Sequence, residues 1–143
     1  MVTAKDDLTA TITGLYGEWV KALEERQFEW FDRHLAADYT ATAHPFDKLF
    51  LRKQEFIELD KRVAHAKIHI ERVVAHRAGG NVLSHLIARI EKEEFASEPG
   101  HNLPSAAELS GMLAGKTLAY ASAWRQEGDV WKCFDHHMIG PTG

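Results

Sequence analysis

Asp135, His136 and His137 stand side by side in the stretch CFDHHMIG, close to the end of a 143-residue chain. A carboxylate beside an imidazole can orient the ring and raise its basicity, which makes a general base near neutral pH. The same groups can ligate a metal, or they can simply form the polar end of a strand, hydrogen-bonded to water. Strand geometry separates the three residues. With a side-chain period of two, Trp131, Cys133, Asp135, His137 and Ile139 share one face, and Val130, Lys132, Phe134, His136 and Met138 share the other. Lys132 prefers solvent or an interface, so the Asp135 set is assigned to the concave side of the sheet. The expected cavity pair is Asp135 and His137, with His136 pointing away.

Further candidates lie elsewhere. His44 ends a β-rich stretch just before Pro45 and either faces the cavity or closes the strand. Tyr16 and Trp19 fall on the apolar stripe of a long first helix, where the tyrosine hydroxyl can donate to a ligand carbonyl. Tyr120 and Trp124 alternate together, and the opposite face of their strand is small: Thr117, Ala119, Ala121 and Ala123. That small face leaves room for a ligand or a closely packed partner sheet. The expected acid–base residues are therefore His44, Asp135 and His137, and the expected ligand contacts are Tyr16, Trp19 and Tyr120. The nine histidines are dispersed, and no short motif supplies three converging ligands. Neither a metal nor a cofactor is expected. The lone Cys133 sits in an apolar strand, where burial raises a thiol pKa and leaves it inert.

The totals bound the possibilities. One domain spanning 1–143 is expected from the length. The formal charge of −4 and the lack of a Lys/Arg cluster argue against nucleic acid. No apolar run is long enough to span a membrane, and the first ten residues lack the apolar core of a signal peptide. A single cysteine fits a reducing compartment, so a cytoplasmic location is expected.

These residues need elements to hold them. Leu8, Ile12, Leu15, Tyr16, Trp19, Val20 and Leu23 recur at spacings of three and four, which predicts a helix over 5–26. Asp6 and Asp7 suit its N-terminal dipole. Gly14 and Gly17 weaken it, and close approach of another backbone or a ligand is one explanation. A shorter helix is expected over 27–39, strands over 39–45 and 46–52, and a third helix over 53–64 with Phe56, Ile57 and Val63 buried. Two long strands over 65–77 and 82–95 are joined at Gly79-Gly80, a hairpin signal because both positions tolerate positive φ. Residues 96–114 read as a long loop with one helical turn at 105–110. Strands over 116–126 and 130–139 close the chain. Helices and short strands followed by four long antiparallel strands give an α+β fold, a curved sheet wrapped around the N-terminal helices.

Three stretches carry a resemblance. ALEERQFEWFDRHLAADY follows the helix–short helix pattern of the NTF2-like superfamily, in its SnoaL-like and DUF4440-like branch. HPFDKLFLRKQEFIE is similar to that family's HPDGRVLSREEFLA, and YASAWRQEGDVWKCFDHH resembles its W-x-x-DGxWxxxxxH ending. The resemblance implies a cystatin-like α+β cone with an apolar pocket, and a homodimer packed through the outer sheet face, where Phe134 and Met138 are expected. It also places ATAHP at the ketosteroid isomerase stretch that carries an aspartate general base, with His44 in that position. The expected function is binding of a small apolar ligand. Cofactor-free isomerase, cyclase, dehydratase or hydrolase chemistry is one form of it, and a non-catalytic binding or dimerisation module is the alternative.

Overall fold

The computed structural model describes residues 4–100 and 103–142. Met1–Thr3, the side chain of Asp6, and His101 and Asn102 of the expected loop lie outside the described residues. The elements run α1 (Ala4–Glu24), α2 (Phe28–His34), β1 (Leu35–Ala43), β2 (Phe46–Arg52), α3 (Lys53–Lys61), β3 (Val63–Ala78), β4 (Asn81–Phe95), α4 (Ala106–Leu113), β5 (Thr117–Glu127) and β6 (Val130–Pro141). One six-stranded sheet has the order β2-β1-β6-β5-β4-β3. Only the β1–β6 neighbours are parallel. The fold is α+β, with an open, curved sheet and the helices on its concave side.

The helices are held by their apolar stripes. Leu8, Ile12, Leu15, Tyr16, Trp19 and Leu23 of α1 are all buried, and α1 packs chiefly on β3. Trp19 is the centre of an aromatic cluster. Its ring lies 5.8 Å from Phe31, 5.9 Å from Phe56 and 6.2 Å from Trp124, each edge-on. Such pairs add about 0.5–1.5 kcal/mol each beyond the area they bury. The cluster therefore fixes α1, α2 and α3 against the sheet floor. Gly14 and Gly17 lie on the exposed side of α1, and a Cβ at either would meet nothing within 4 Å. The close approach considered for them is not there.

Two boundaries differ from expectation for local reasons. The second helix stops at His34 because Leu35 and Ala36 are drawn fully into the core as the start of β1. The segment expected as a loop with one turn carries the two-turn helix α4. Its start is a reciprocal cap: Ser105 Oγ accepts from the Glu108 amide at 3.1 Å, and Glu108 accepts from the Ser105 amide at 3.1 Å. Leu109 and Leu113 of α4 are buried over the open end of the sheet.

The most consequential departure is in β6. Ala123 pairs with Asp135 while Trp124 pairs with Cys133, so Phe134 is an extra residue with no partner on β5. A bulge of this kind shifts the alternation by one. Trp131 and Cys133 pack inward, but beyond Phe134 the inward residues are His136 and Met138. The expected facing of Asp135, His136, His137 and Met138 is thus reversed. Met138 is buried and cannot contribute to an outer patch.

Candidate functional site

The concave face encloses a cavity of about 160 Å³. Its walls are mostly apolar: Trp19, Val20 and Leu23 from α1, Phe56 and Leu59 from α3, Leu109 and Leu113 from α4, and Leu86, Ala88, Ile90 and Met138 from the sheet. Tyr16, Asp60, Glu93, Tyr120 and His136 interrupt this lining and define its chemistry; Thr42 also borders it, with its hydroxyl bonded to His137.

His136 is held on three sides. Its ring stacks on Tyr120 with planes 12° apart and lies 4.7 Å from Trp19. Its Nδ1 is 2.7 Å from Ser122 Oγ. Burial is the main cause of a pKa lowered to about 3, assisted by His137, while Asp135 opposes. The ring is therefore neutral at physiological pH. Behind it runs a buried chain of hydroxyls. Tyr16 donates to Ser122 at 2.7 Å, lies 2.7 Å from Ser84, and Ser84 accepts from the Trp124 indole at 2.9 Å. Ser84 and Ser122 can serve Tyr16 together because they are direct partners across β4 and β5. Burial pushes the Tyr16 hydroxyl up to about 12.

Asp60 and Glu93 form the acidic wall. Asp60 is 7% exposed, and its Oδ2 has no hydrogen-bond partner among the described residues. Burial, and then the charge of Glu93, hold its carboxyl well above the usual range. Glu93 is half-buried by surface, yet its carboxyl lines the cavity, and loss of water there raises it to about 7. Burial thus favours the protonated form of Asp60, and Glu93 is shifted to where a general acid or base works best. The Tyr120 hydroxyl is raised by burial and by both carboxylates, so this residue spans the interval between them and the His136 ring.

Tyr16, Trp19 and Tyr120 all line the cavity. The Tyr16 proton, however, goes to Ser122 and not to a ligand. Asp135 and His137 sit on the opposite face of the sheet, outside the cavity. They are 2.8 Å apart, with side chains 36% and 40% exposed. Thr40 donates to Asp135 at 3.1 Å, and Thr42 Oγ1 is 2.6 Å from His137 Nδ1. A pair this open contributes about 0–1 kcal/mol. His44 is exposed; its amide donates to the Met138 carbonyl at 2.9 Å, and its peptide bond to Pro45 is cis. It does not line the cavity. Among the described residues, no three His, Cys, Asp or Glu side chains converge as a metal cluster. Cys133 is fully buried, and burial raises its thiol strongly.

Asp60 and Glu93 were missing from the candidates, and one of them had a signal. Asp60 follows Phe56 by four residues and Ile57 by three, which puts it on the buried stripe of α3. A carboxylate there is anomalous and marks a site. Glu93 is hidden by a second bulge. Ile90 pairs with Ile68 and Lys92 with Lys67, leaving Glu91 extra, so strict alternation would have pointed Lys92 inward.

The chain matches no protein-family model and no curated protein. Solved structures are similar to it over nearly its whole length. An NTF2-like protein from Cytophaga hutchinsonii is 12% identical, with 92% of this chain and 96% of that one covered and a TM-score of 0.71. A candidate dehydratase from the NTF2-like family, from Streptomyces avermitilis, is 15% identical, covering 94% and 96% with a TM-score of 0.66. A cystatin-like protein of unknown function from Nostoc punctiforme is 12% identical, covering 96% and 92% at 0.61. The chain has the NTF2-like fold, and these likenesses show the fold alone.

Proposed function

We propose that the cavity binds a small, largely apolar molecule and moves a proton on it, as in an isomerisation or a dehydration. The observation that supports this best is the pairing, within one apolar cavity, of an acid poised near pH 7 with a neutral imidazole. Glu93 takes or returns the proton. Asp60, whose carboxyl burial favours in its protonated form, donates a hydrogen bond to a substrate oxygen. His136 stabilises charge that develops on the substrate without becoming charged itself. Trp19 and Tyr120 contact the ligand, and Tyr16 positions His136. The walls exclude water, which strengthens each of these interactions. The candidate dehydratase among the similar structures is consistent with this chemistry. The residues brought together here take the acid–base role expected of His44, Asp135 and His137.

The experiment is a screen of small cyclic ketones and alcohols by tryptophan fluorescence, followed by proton-exchange assays in deuterated water on whatever binds. Wild-type exchange that falls at least about a hundredfold in Glu93→Gln supports the proposal, since general acid–base catalysis contributes about that much. Tight binding with no exchange would leave a non-catalytic binding module instead.

We also propose a homodimer through the outer sheet face. The small side chains of Ala119, Ala121 and Ala123 lie there beside Leu83, and Leu83 and Ile139 are 41% and 51% exposed. Exposed aliphatic side chains beside small ones, with Asp135 and His137 between them, suit a partner sheet. Sedimentation showing only the 16.1 kDa species at micromolar concentration would end that proposal. A cytoplasmic location is proposed on the buried, unpaired Cys133 alone.

A further inference from the structure

The hydroxyl chain behind His136 has a direction, and the direction decides what the cavity can hold. It starts at the Trp124 indole, which can only donate, so Ser84 must accept there. Each hydroxyl in the chain has a single proton to give. Tyr16 gives its own to Ser122. The 2.7 Å contact between Ser84 and Tyr16 then needs the proton of Ser84, whose other acceptor, the Ser122 carbonyl, is farther away at 3.5 Å. Ser122 accepts from Tyr16, and the one acceptor in reach of its own proton among the described residues is His136 Nδ1, 2.7 Å away. A nitrogen that accepts carries no proton, so the neutral ring has its proton on Nε2. Nε2 has no partner among the described residues, and the ring lines the cavity.

We propose that the chain Trp124–Ser84–Tyr16–Ser122 locks His136 in its Nε2–H form, so that the cavity selects ligands presenting a hydrogen-bond acceptor, such as a carbonyl oxygen, to His136. Ser84, Tyr16 and Ser122 are positioning residues that act through the ring. The opposite wall fits the same class of ligand. Asp60 and Glu93 suit the part of the molecule that gives up or receives a proton, while His136 suits the oxygen on which charge accumulates. The inference rests on the cavity being the binding site, as proposed above, and extends that reading to the ligand's polarity.

Two measurements test it. Long-range proton–nitrogen correlation spectra of the isotope-labelled full chain at pH 7 report the tautomer without any ligand. His136 should show an unprotonated Nδ1 and a protonated Nε2. Ser122→Ala should give a mixture, and Ser122→Thr, which keeps the hydroxyl, should restore the single form. A protonated Nδ1 in the wild type, or an unchanged single tautomer in Ser122→Ala, overturns the lock. The second measurement compares 1-indanone with indane by fluorescence titration. The ketone should bind about tenfold tighter, the worth of one hydrogen bond to a buried donor, and His136→Phe should bring the two within about twofold. Equal binding of both probes to the wild type overturns the selectivity. Binding of neither sinks the proposed binding site, and the ligand half of the inference with it, while the spectra still decide the tautomer.

Discussion

The rings of His136 and Tyr120 are stacked, their planes 12° from parallel and their centroids 5.2 Å apart, and both line the cavity with Asp60 and Glu93. Tyr120→Phe keeps this stack. It should leave the unfolding free energy within about 1 kcal/mol of wild type, whereas Tyr120→Ala should cost about 3–5 kcal/mol. Urea titrations of the two variants check this, and a similar loss in both would show that the hydroxyl, not the stack, supports the wall.

Adjacent histidines should behave oppositely. Replacing His136 with Gln should weaken binding of a cavity ligand at least about tenfold, while the same change at His137 should leave it within about twofold. This reverses the order that strict alternation implies. Equal losses at both positions would mean that the bulge at Phe134 does not persist in solution.

The buried ring sets the acid limb of stability. His136 has a folded-state pKa lowered from 6.5 to about 3, so between those values the unfolded chain binds the extra proton and stability falls as the pH drops. At pH 5 this amounts to about 2 kcal/mol relative to neutrality. Glu93 has the opposite sign. Its pKa is raised from 4.5 to about 7, so its unfolded form deprotonates first, and stability declines as the pH rises across that interval. Denaturation curves of His136→Gln should lose the acid limb, and those of Glu93→Gln should lose the decline toward pH 7. An unchanged profile in either variant contradicts the assignment.

Asp60 illustrates a site maintained against stability. Its buried Oδ2 lacks a partner among the described residues, and leaving such a group unsatisfied costs about 1–3 kcal/mol. Asp60→Leu should therefore raise the melting temperature at pH 8 while lowering proton exchange on a bound ligand. A lower melting temperature would mean that the carboxyl has a structural partner after all.

The glycines of α1 offer a simpler gain. With no atom near either position and ordinary helical backbone, Gly14→Ala and Gly17→Ala should each stabilise the protein by about 0.5–1 kcal/mol. Thermal melts of the single and double variants give the answer directly, and a loss at either site would point to an unrecognised contact on that face.

Much of the architecture was legible because it rests on periodic burial. The stripe from Leu8 to Leu23 and the Gly79-Gly80 turn between β3 and β4 are written in residue types. The Ser105–Glu108 cap of α4 was not read from the sequence, where a loop with one turn was expected. The site was less legible because two bulges intervene. Nothing in the residue type of Phe134 or Glu91 announces that each is surplus to its ladder, and it is the pairing with β5 and β3 that exposes them. Periodicity read along one strand cannot detect an insertion measured against its neighbour. Asp60 is the exception, since a helix needs no partner to define its faces.

The unpaired Phe134 makes β6 resemble a message with a frameshift. Upstream, odd-numbered residues face the core; downstream, as far as Met138, even-numbered ones do. Deleting Phe134 would remove the extra letter and leave the inward residues on both sides where they are. Inserting one residue between Phe134 and Asp135 changes the count by the same parity and would also keep His136 inward, whereas flattening the bulge with the count unchanged would exchange His136 for Asp135 and His137 at the cavity wall. A single imidazole would give way to a carboxylate beside an imidazole. The chemistry of the cavity is thus encoded in the parity of a residue count as much as in the identity of the residues.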